Sequence, residues 1–281
     1  MLDDSQRPTP APQPDANQTE RTVSAFHTAS SDFARLGPHL WEPIGAATTA
    51  RTEPEKGQQV LDACCGNGAS ALPAAHCVGS SGKVDAVDLA APLIEELRHR
   101  ARGLPQLCAH TADATSWTKS GYDVVQAALG IFFFPDMTAG TEYLVSRLRP
   151  SGRAGLTIWR RGAMETAANH LRSALARVTG AAPGQRPAHL IDRINDARAF
   201  RAWLTERGLA DVTVAVHALR LPLTSEIAWL VITGSGFAGV LRGLSEETTR
   251  AVRDAYLDSL QEAGVDELDA TTLIGVGTRP R

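Results

Sequence analysis

The sequence predicts an α/β fold in which a doubly wound, mainly parallel sheet carries helices on both faces. Three observations predict it. The stretch 60–75 passes from a buried apolar run into the turn Gly66-Asn67-Gly68 and then into an alanine-rich helix start. Strand, glycine turn and helix in that order form the nucleotide-binding geometry of such folds, because glycine lets the backbone approach a ligand and the helix start offers unpaired N–H groups. From there to Trp159, short apolar runs alternate with amphipathic ones, the pattern of a sheet built from strand–helix units. Finally, Asp62, Asp88 and Asp113 stand at the ends of the first three apolar runs, where an open parallel sheet gathers its ligand-binding groups.

The chain of 281 residues is long enough for one large domain, or for one domain with a small lid. With 43% hydrophobic and 21% charged residues it has the composition of an ordinary globular protein. A net charge of −3 without a basic run argues against a nucleic-acid partner. No apolar run approaches the roughly 20 residues that span a bilayer, and no basic segment followed by an apolar one marks secretion. Cys64, Cys65, Cys77 and Cys108 have neither disulfide-framework nor zinc spacing. The adjacent pair inside the ligand turn reads as small residues in a reducing compartment, so a cytoplasmic protein without a metal site is expected.

The elements follow in order. Residues 1–18, with Pro8, Pro10, Pro12 and Pro14 among polar neighbours, are expected to be a disordered tail. Residues 19–50 form an N-terminal helical cover in which Phe26, Phe33, Leu36, Leu40, Trp41 and Ile44 lie on short amphipathic helices broken at Gly37-Pro38 and at Pro43. This cover is expected to be separable, so that a chain lacking it still folds its sheet. The core, 51–160, holds a strand ending at Asp62, a second over 82–89, a third over 107–115, a fourth over 122–130 and a fifth over 154–159. Helices are expected over 91–102 and 140–148. The remainder, 161–281, contains helices over 163–178 and 196–207, a Pro/Gly-rich loop over 180–187, a sixth strand over 212–219 and a last strand over 269–278. Two helical stretches, 225–241 and 245–263, separate those strands by more than a hairpin needs. The segment 225–263 is therefore assigned, with the N-terminal cover, to a lid over the acceptor.

The run Leu61-Asp62-Ala63-Cys64-Cys65-Gly66-Asn67-Gly68 resembles motif I of the class I S-adenosylmethionine (SAM) methyltransferases, hh-D/E-x-G-x-G-x-G, with Cys64 in place of the first glycine. A dinucleotide fingerprint would instead need glycine at Ala71, and a carboxylate at Asp62 would repel a pyrophosphate. The phrase Leu148-Arg149-Pro150-Ser151-Gly152-Arg153 resembles the L-K/R-P-G-G turn of the same family, with Ser151 replacing one glycine. The resemblance covers about residues 26–159. It implies a Rossmann-like sheet of seven strands with the last antiparallel, SAM as cofactor, and methyl transfer to O, N or C of a small acceptor. By the same resemblance, Asp62 meets the amino group of the methionyl part, flanked by Ala63 and Cys64, and Gly66 and Gly68 lie against its carboxylate and ribose. Asp88 and Leu89 hold the ribose diol, Asp113 and Ala114 the adenine, and Ala128 and Leu129 end the strand beside the sulfonium. Phe26, Phe33 and Trp41 from the cover, with Phe133 and Phe134 after strand four, line the acceptor pocket.

Candidate bases are His27, His39, His170 and His189, of which His27, beside Phe26, is favoured. Strand four lacks the Asn/Asp-Pro-Pro-Tyr type of signature found in amino-group modifiers of nucleic acid and protein. With the acidic balance and the apolar lid, this points to a small hydrophobic or aromatic acceptor of the kind natural-product tailoring enzymes use. Methylation of a quinone or lipid precursor, SAM binding without methyl transfer, and a nicotinamide dehydrogenase remain alternatives. The expected partner is a small-molecule acceptor rather than nucleic acid or membrane, and a homodimer is compatible with the sequence.

Overall fold

The structure, a computed structural model, describes residues 16–180 and 189–281, with side chains from Ser24 onward. Its strands are β1 (Gln59–Ala63), β2 (Lys83–Asp88), β3 (Leu107–Thr111), β4 (Tyr122–Ala128), β5 (Leu148–Trp159), β6 (Ala210–His217), β7 (Arg220–Pro222), β8 (Glu267–Asp269) and β9 (Thr272–Thr278). Seven of them form one sheet in the order β3-β2-β1-β4-β5-β9-β6. β9 runs antiparallel to both its neighbours, while β1, β2, β3, β4 and β5 pair in parallel. The central strands β1 and β2 are buried almost end to end, as expected of a parallel sheet covered on both faces. The strand order reverses between β1 and β4, and that switch point opens a crevice at the strands' C-terminal ends.

The N-terminal block divides into two helices with different jobs. α1 (Ala16–Leu36) and α2 (Trp41–Thr52) are separated at Gly37-Pro38 as expected, but Pro43 lies in the first turn of α2 and does not break it, because that turn has no intrahelical N–H bond for proline to remove. The expected tail is shortened: α1 already begins at Ala16, and residues 1–15 lie outside the described residues. α2 lines the cavity with Trp41 and Ile44 and is also bonded into the sheet. Thr48 Oγ1 lies 2.6 Å from Thr157 Oγ1 on β5, Thr49 Oγ1 donates to Ser70 O at 3.0 Å, and Thr52 Oγ1 donates to Gln126 Oε1 on β4 at 3.0 Å. A row of three threonines thus satisfies polar groups of the sheet from a helix that is itself part of the core layer.

Helices α3 (Ala71–Val78), α4 (Ala91–Arg100) and α5 (Met137–Ser146) follow β1, β2 and β4, and a short 3₁₀ turn at Ala114–Ser116 follows β3. β5 begins at Leu148, before the expected start, because the Pro150-Ser151-Gly152 turn is a bend within the strand. Ser151 has φ 62°, its N–H donates to Arg279 O at 2.9 Å, and Arg279 N–H donates to Gly152 O at 2.8 Å. α6 (Glu165–Thr179), the single turn α7 (Ile191–Ile194) and α8 (Ala197–Glu206) lead into β6. The loop expected over 180–187 lies outside the described residues apart from Gly180.

β7 and β8, absent from the sequence reading, form a two-stranded antiparallel ribbon that clamps the two ends of the inserted segment. The sixth strand expected over 212–219 stops before β7, and the last, expected over 269–278, takes in only Asp269 of β8. The chain turns out of the main sheet where Ala270 N–H donates to Leu219 O, and where Asp269 accepts the Thr271 N–H through its side chain. Inside the insertion lie α9 (Ser225–Thr233), a 3₁₀ segment (Gly236–Leu241) and α10 (Glu246–Glu262). Tyr256 and Val252 of α10 are fully buried in a cluster with Leu171 and Ala174 of α6, so α10 buttresses the fold. No helix among the described residues is long and apolar enough to cross a membrane.

Candidate active site

A cavity of about 1030 Å³ lies at the C-terminal ends of the parallel strands. Ligand pockets run from about 300 to 1,000 Å³, so this one can hold a cofactor and an acceptor together. Its wall passes through the residues that follow each strand: Cys64, Cys65 and Gly66 after β1; Asp88 and Leu89 at β2; Ala112, Asp113 and Ala114 after β3; Ala128, Leu129 and Gly130 at β4; Trp159 and Arg160 at β5.

The turn after β1 is shaped by its backbone. Gly66 and Gly68 have φ 53° and 96°, the left-handed region that glycine enters without cost. Cys64, which stands where the family motif has glycine, has φ 55° and so keeps the glycine backbone with a side chain attached. Such a conformation costs a non-glycine residue about 1–2 kcal/mol. Room for the side chain comes from across the crevice. A Cβ on Gly130 would lie 2.3 Å from Cys64 Cβ, so glycine at 130 is what admits cysteine at 64. Ser151 in the second motif is a parallel case at φ 62°. Both departures from the family pattern change the side chain and preserve the backbone.

Asp88 sits on the wall with its carboxylate already part-used: Oδ2 accepts the Gly66 N–H at 2.9 Å and Oδ1 accepts the Ala90 N–H at 2.8 Å. Burial pushes its pKa up, against the pull of the Ala90 and Gly66 N–H groups. Each oxygen keeps a lone pair for a hydroxyl donor, so the side chain can fasten the glycine turn and bind a diol at once. Asp113 Oδ1 accepts Thr115 N–H and Oγ1–H at 2.8 and 2.7 Å, which fixes the carboxylate at the cavity edge.

Three expected cofactor residues stand one layer behind the wall. Ala63 is buried within β1. Gly68 faces Leu97, whose Cδ1 would lie 2.4 Å from an added Cβ, so its smallness serves the packing of α4. Asp62 is fully buried behind Ser70, and the expected direct contact with a bound amino group is not open to it in this conformation. Gln126 Nε2 donates to Asp62 Oδ2 at 3.2 Å, while Oδ1 has no hydrogen-bond partner. Burial raises its pKa to about 7, only partly offset by the nearby Ser70 hydroxyl and the Gln126 amide. Asp62 is a reservoir of negative potential behind the turn, complementary to a cationic group in the cavity.

The other half of the cavity is aromatic. Phe33 stacks on Trp41 with centroids 5.0 Å apart, Phe26 meets Phe33 and Phe133 edge-on at 6.0 and 5.4 Å, and Phe132 lies 4.7 Å from Phe133. Such pairs contribute about 0.5–1.5 kcal/mol each beyond their burial. Phe133 remains 39% exposed, a large ring turned to open space. All five expected acceptor-pocket residues, Phe26, Phe33, Trp41, Phe133 and Phe134, are on the wall.

The sequence reading missed the third side of the cavity: Trp159 and Arg160, the face of α6 bearing Glu165, Ala168, Arg172, Leu175 and Thr179, and Asn195 after α7. Spacing of three and four residues along α6 marks a helix face, but the sequence does not say which face meets the cavity. Of the lid assigned to 225–263, only Ser235, Gly236, Phe237 and Val240 border it.

His27, the favoured base, does not line the cavity. It is exposed and off the cavity wall, because Phe26 takes the inward position on α1 and its neighbour turns outward. His39 is exposed, His170 Nδ1 is 2.9 Å from Ser259 Oγ between α6 and α10, and no histidine is on the wall. His27→Ala is therefore expected to leave single-turnover methyl transfer within about twofold of the parent chain. A positioned base is worth about 10²- to 10⁴-fold, so a loss in that range would restore it. Elsewhere, Asp85, Cys108 and His110 bring possible metal-ligand atoms together, but Lys119 Nζ lies 3.2 Å from Asp85 Oδ1 and already supplies the positive charge there.

Comparison with known proteins agrees with this geometry. The family described as "Methyltransferase domain" matches residues 60–152. Aklanonic acid methyltransferase DauC of Streptomyces sp. (strain C5) is 33% identical over 147 residues, covering 51% of this chain and 67% of that protein. Nocamycin O-methyltransferase of Saccharothrix syringae is 31% identical over 136 residues, 47% of this chain and 49% of its own length. A solved Haemonchus contortus phosphoethanolamine N-methyltransferase, in complex with phosphomonomethylethanolamine and S-adenosylhomocysteine, shares the fold at a TM-score of 0.57 and 16% identity. The match covers 94% of this chain and 60% of that one.

Proposed function

We infer that this chain, which belongs to the class I SAM-dependent methyltransferases, transfers a methyl group to an oxygen of a small aromatic or otherwise hydrophobic acceptor. The observation that carries the reading is the two-sided cavity, with carboxylates and a glycine turn at the strand ends and a cluster of aromatic rings facing them. Oxygen is favoured because one relative is named for O-methylation of nocamycin, and a tailoring role because another is named for aklanonic acid. Four free cysteines support a cytoplasmic setting.

The residues present fit SAM. Asp88 and Asp113 would hold the ribose and adenine, the Cys64–Gly66 backbone would lie against the methionyl part, and Asp62 would favour its positive charge from behind. Bound there, SAM supplies a methyl group on a cationic sulfur, open to in-line displacement. What the chain itself contributes is placement. Phe26, Phe33 and Phe133 exclude water and present ring faces, which stabilise nearby positive charge by about 0.5–2 kcal/mol. Holding two reactants in register can remove about 7–11 kcal/mol of barrier, more than a single base supplies. With no histidine on the wall, the acceptor proton is expected to leave through the acceptor's own acidity, as in a carboxylic acid, enol or activated phenol, or to a wall carboxylate such as Glu165.

The test has two arms. Asp88→Ala removes charge-assisted bonds worth about 1.5–3 kcal/mol, so SAM affinity by calorimetry should fall roughly 10- to 150-fold. Labelled SAM with the parent chain should pass label into the small-molecule fraction of an extract of the producing cell. SAM binding without any such label would point to a protein that binds the cofactor and does not transfer methyl.

A further inference from the structure

The cavity wall carries a cation that a carboxylate holds by one corner. Arg160 follows Trp159 at the end of β5 and lies on the wall. Its Nη2 donates to Asp269 Oδ2 at 3.2 Å. Among the described residues its other guanidinium nitrogens have no partner, and Nε is buried in that state. Asp269, in turn, is held by the Thr271 N–H and lies 3.8 Å from Arg220, and these contacts keep its pKa low. Arg160 is thus tethered at one corner by a carboxylate that stays ionised, and its side chain, 42% exposed, leaves Nη1 open to an incoming group. A guanidinium has five donors and no acceptor, so what it lacks is an oxygen, and most strongly an anionic one.

Position along the sheet gives its relation to the reacting centre. Leu129, at the end of β4, donates its N–H to Thr157 O at 3.0 Å. Arg160 is three residues further along, about 10 Å at the rise of a strand. The surrounding charge does not explain the arrangement. Arg172 donates to Asn169 at 3.0 Å, Asp192 accepts the His189 N–H, and Glu165 is an exposed carboxylate on the same wall. The charged residues of the wall are Arg160 and Arg172 against Asp88, Asp113, Glu165 and Asp192, and Arg160 differs from the exposed Arg172 in being held by a carboxylate from a distant strand rather than by a neutral amide on its own helix.

We propose that Arg160 is an acceptor-binding residue that takes an anionic oxygen, a carboxylate or an equivalent acidic group, at the end of a flat aromatic acceptor remote from the atom to be methylated. The acceptor class is then an aromatic molecule carrying an acidic group about one ring system away from its nucleophile. This rests on reading the aromatic half of the cavity as the acceptor site. Binding energy gained at the remote anion would be used to align the nucleophile.

The experiment measures binding by calorimetry at pH 7.5 in the presence of SAM, using 2-naphthoate and its neutral methyl ester as probes. The parent chain should bind the acid roughly 10- to 100-fold more tightly than the ester. Arg160→Gln should bring the two within about twofold, Arg160→Lys should restore part of the difference, and Arg172→Gln should leave it intact. Unchanged SAM affinity in each variant shows that the site is folded and separates this proposal from the cofactor reading, which would fail instead through loss of SAM binding by the parent chain. Equal affinity for acid and ester in the parent, binding of neither, or a preference removed by Arg172→Gln and not by Arg160→Gln would each overturn the assignment.

Discussion

Replacing Gly45 by alanine is expected to cost the protein about 1–3 kcal/mol of stability and to weaken SAM binding with it. In most helices the same change would help, by about 0.5–1 kcal/mol, because alanine loses less conformational entropy on folding. Here the added Cβ would lie 2.3 Å from Ala69 C, 2.4 Å from Ala69 O and 2.7 Å from Ser70 N. All three are backbone atoms at the start of the helix after the glycine turn, and backbone there cannot swing aside as a flexible side chain would. α2 must move outward, and its threonine row moves with it, loosening the bonds to Ser70, Gln126 and Thr157. Since Ala69 and Ser70 line the cavity, the displacement reaches the cofactor half directly. Urea unfolding checks the first part and calorimetry with SAM the second. A variant as stable as the parent would show that α2 is not seated as described.

The same packing revises what truncation should do. A chain starting after Ala50 was expected to keep its sheet. With α2 removed up to Ala50, Gln126 loses the Thr49 hydroxyl, Thr157 loses Thr48, and the fully buried Ile44 is missing from the cluster that holds Leu129 and Met164. That chain is expected to be unfolded by circular dichroism, whereas removal of residues 1–15 touches none of these contacts.

How much of this was legible in the sequence follows from what each signal depends on. The parallel half of the sheet and its ligand end were readable because strand, glycine turn and strand-end carboxylates are local in the chain; Asp88 and Asp113 reach the wall as their positions implied. Ribbon β7–β8 was not readable, since Arg220–Pro222 and Glu267–Asp269 are each too short to carry a periodicity and are defined only by each other. The division of the N-terminal block escaped for a related reason. α1 and α2 have similar residue types, and only Gly45 and the spacing Thr48, Thr49, Thr52 hinted that one helix meets backbone at close range. His27 lies off the wall because adjacent residues on a helix point about 100° apart, so placing Phe26 inside places its neighbour outside. Arg160 could not be singled out, because its meaning comes from Asp269, far away in sequence and close in space.

Asp62→Asn is expected to stabilise the ligand-free protein above neutral pH, while impairing its affinity for SAM. Asp62 is fully buried with one oxygen unpartnered, and its pKa is raised from the ordinary 3.8 to about 7. A carboxyl whose folded pKa lies above its unfolded one favours the fold in its neutral form. Its contribution is complete below pH 3.8 and is lost as pH rises through about 7. The span is about three pKa units, or about 4 kcal/mol, by which wild-type stability from this group should decline between those limits. Asparagine cannot ionise, can still accept the Gln126 bond, and removes that decline. The difference in unfolding free energy, variant minus parent, should therefore climb by about 2–3 kcal/mol between pH 5 and pH 8. In the ligand-binding direction the sign reverses: the negative charge that burdens the empty fold favours a cation in the cavity, so the neutral variant should bind SAM more weakly at pH 8 than the parent. A site that stores strain in the free protein and relieves it on binding would show both effects. Unfolding curves at the two pH values, with calorimetry at the higher one, measure them, and a stability difference independent of pH would mean that Asp62 does not titrate as a buried acid.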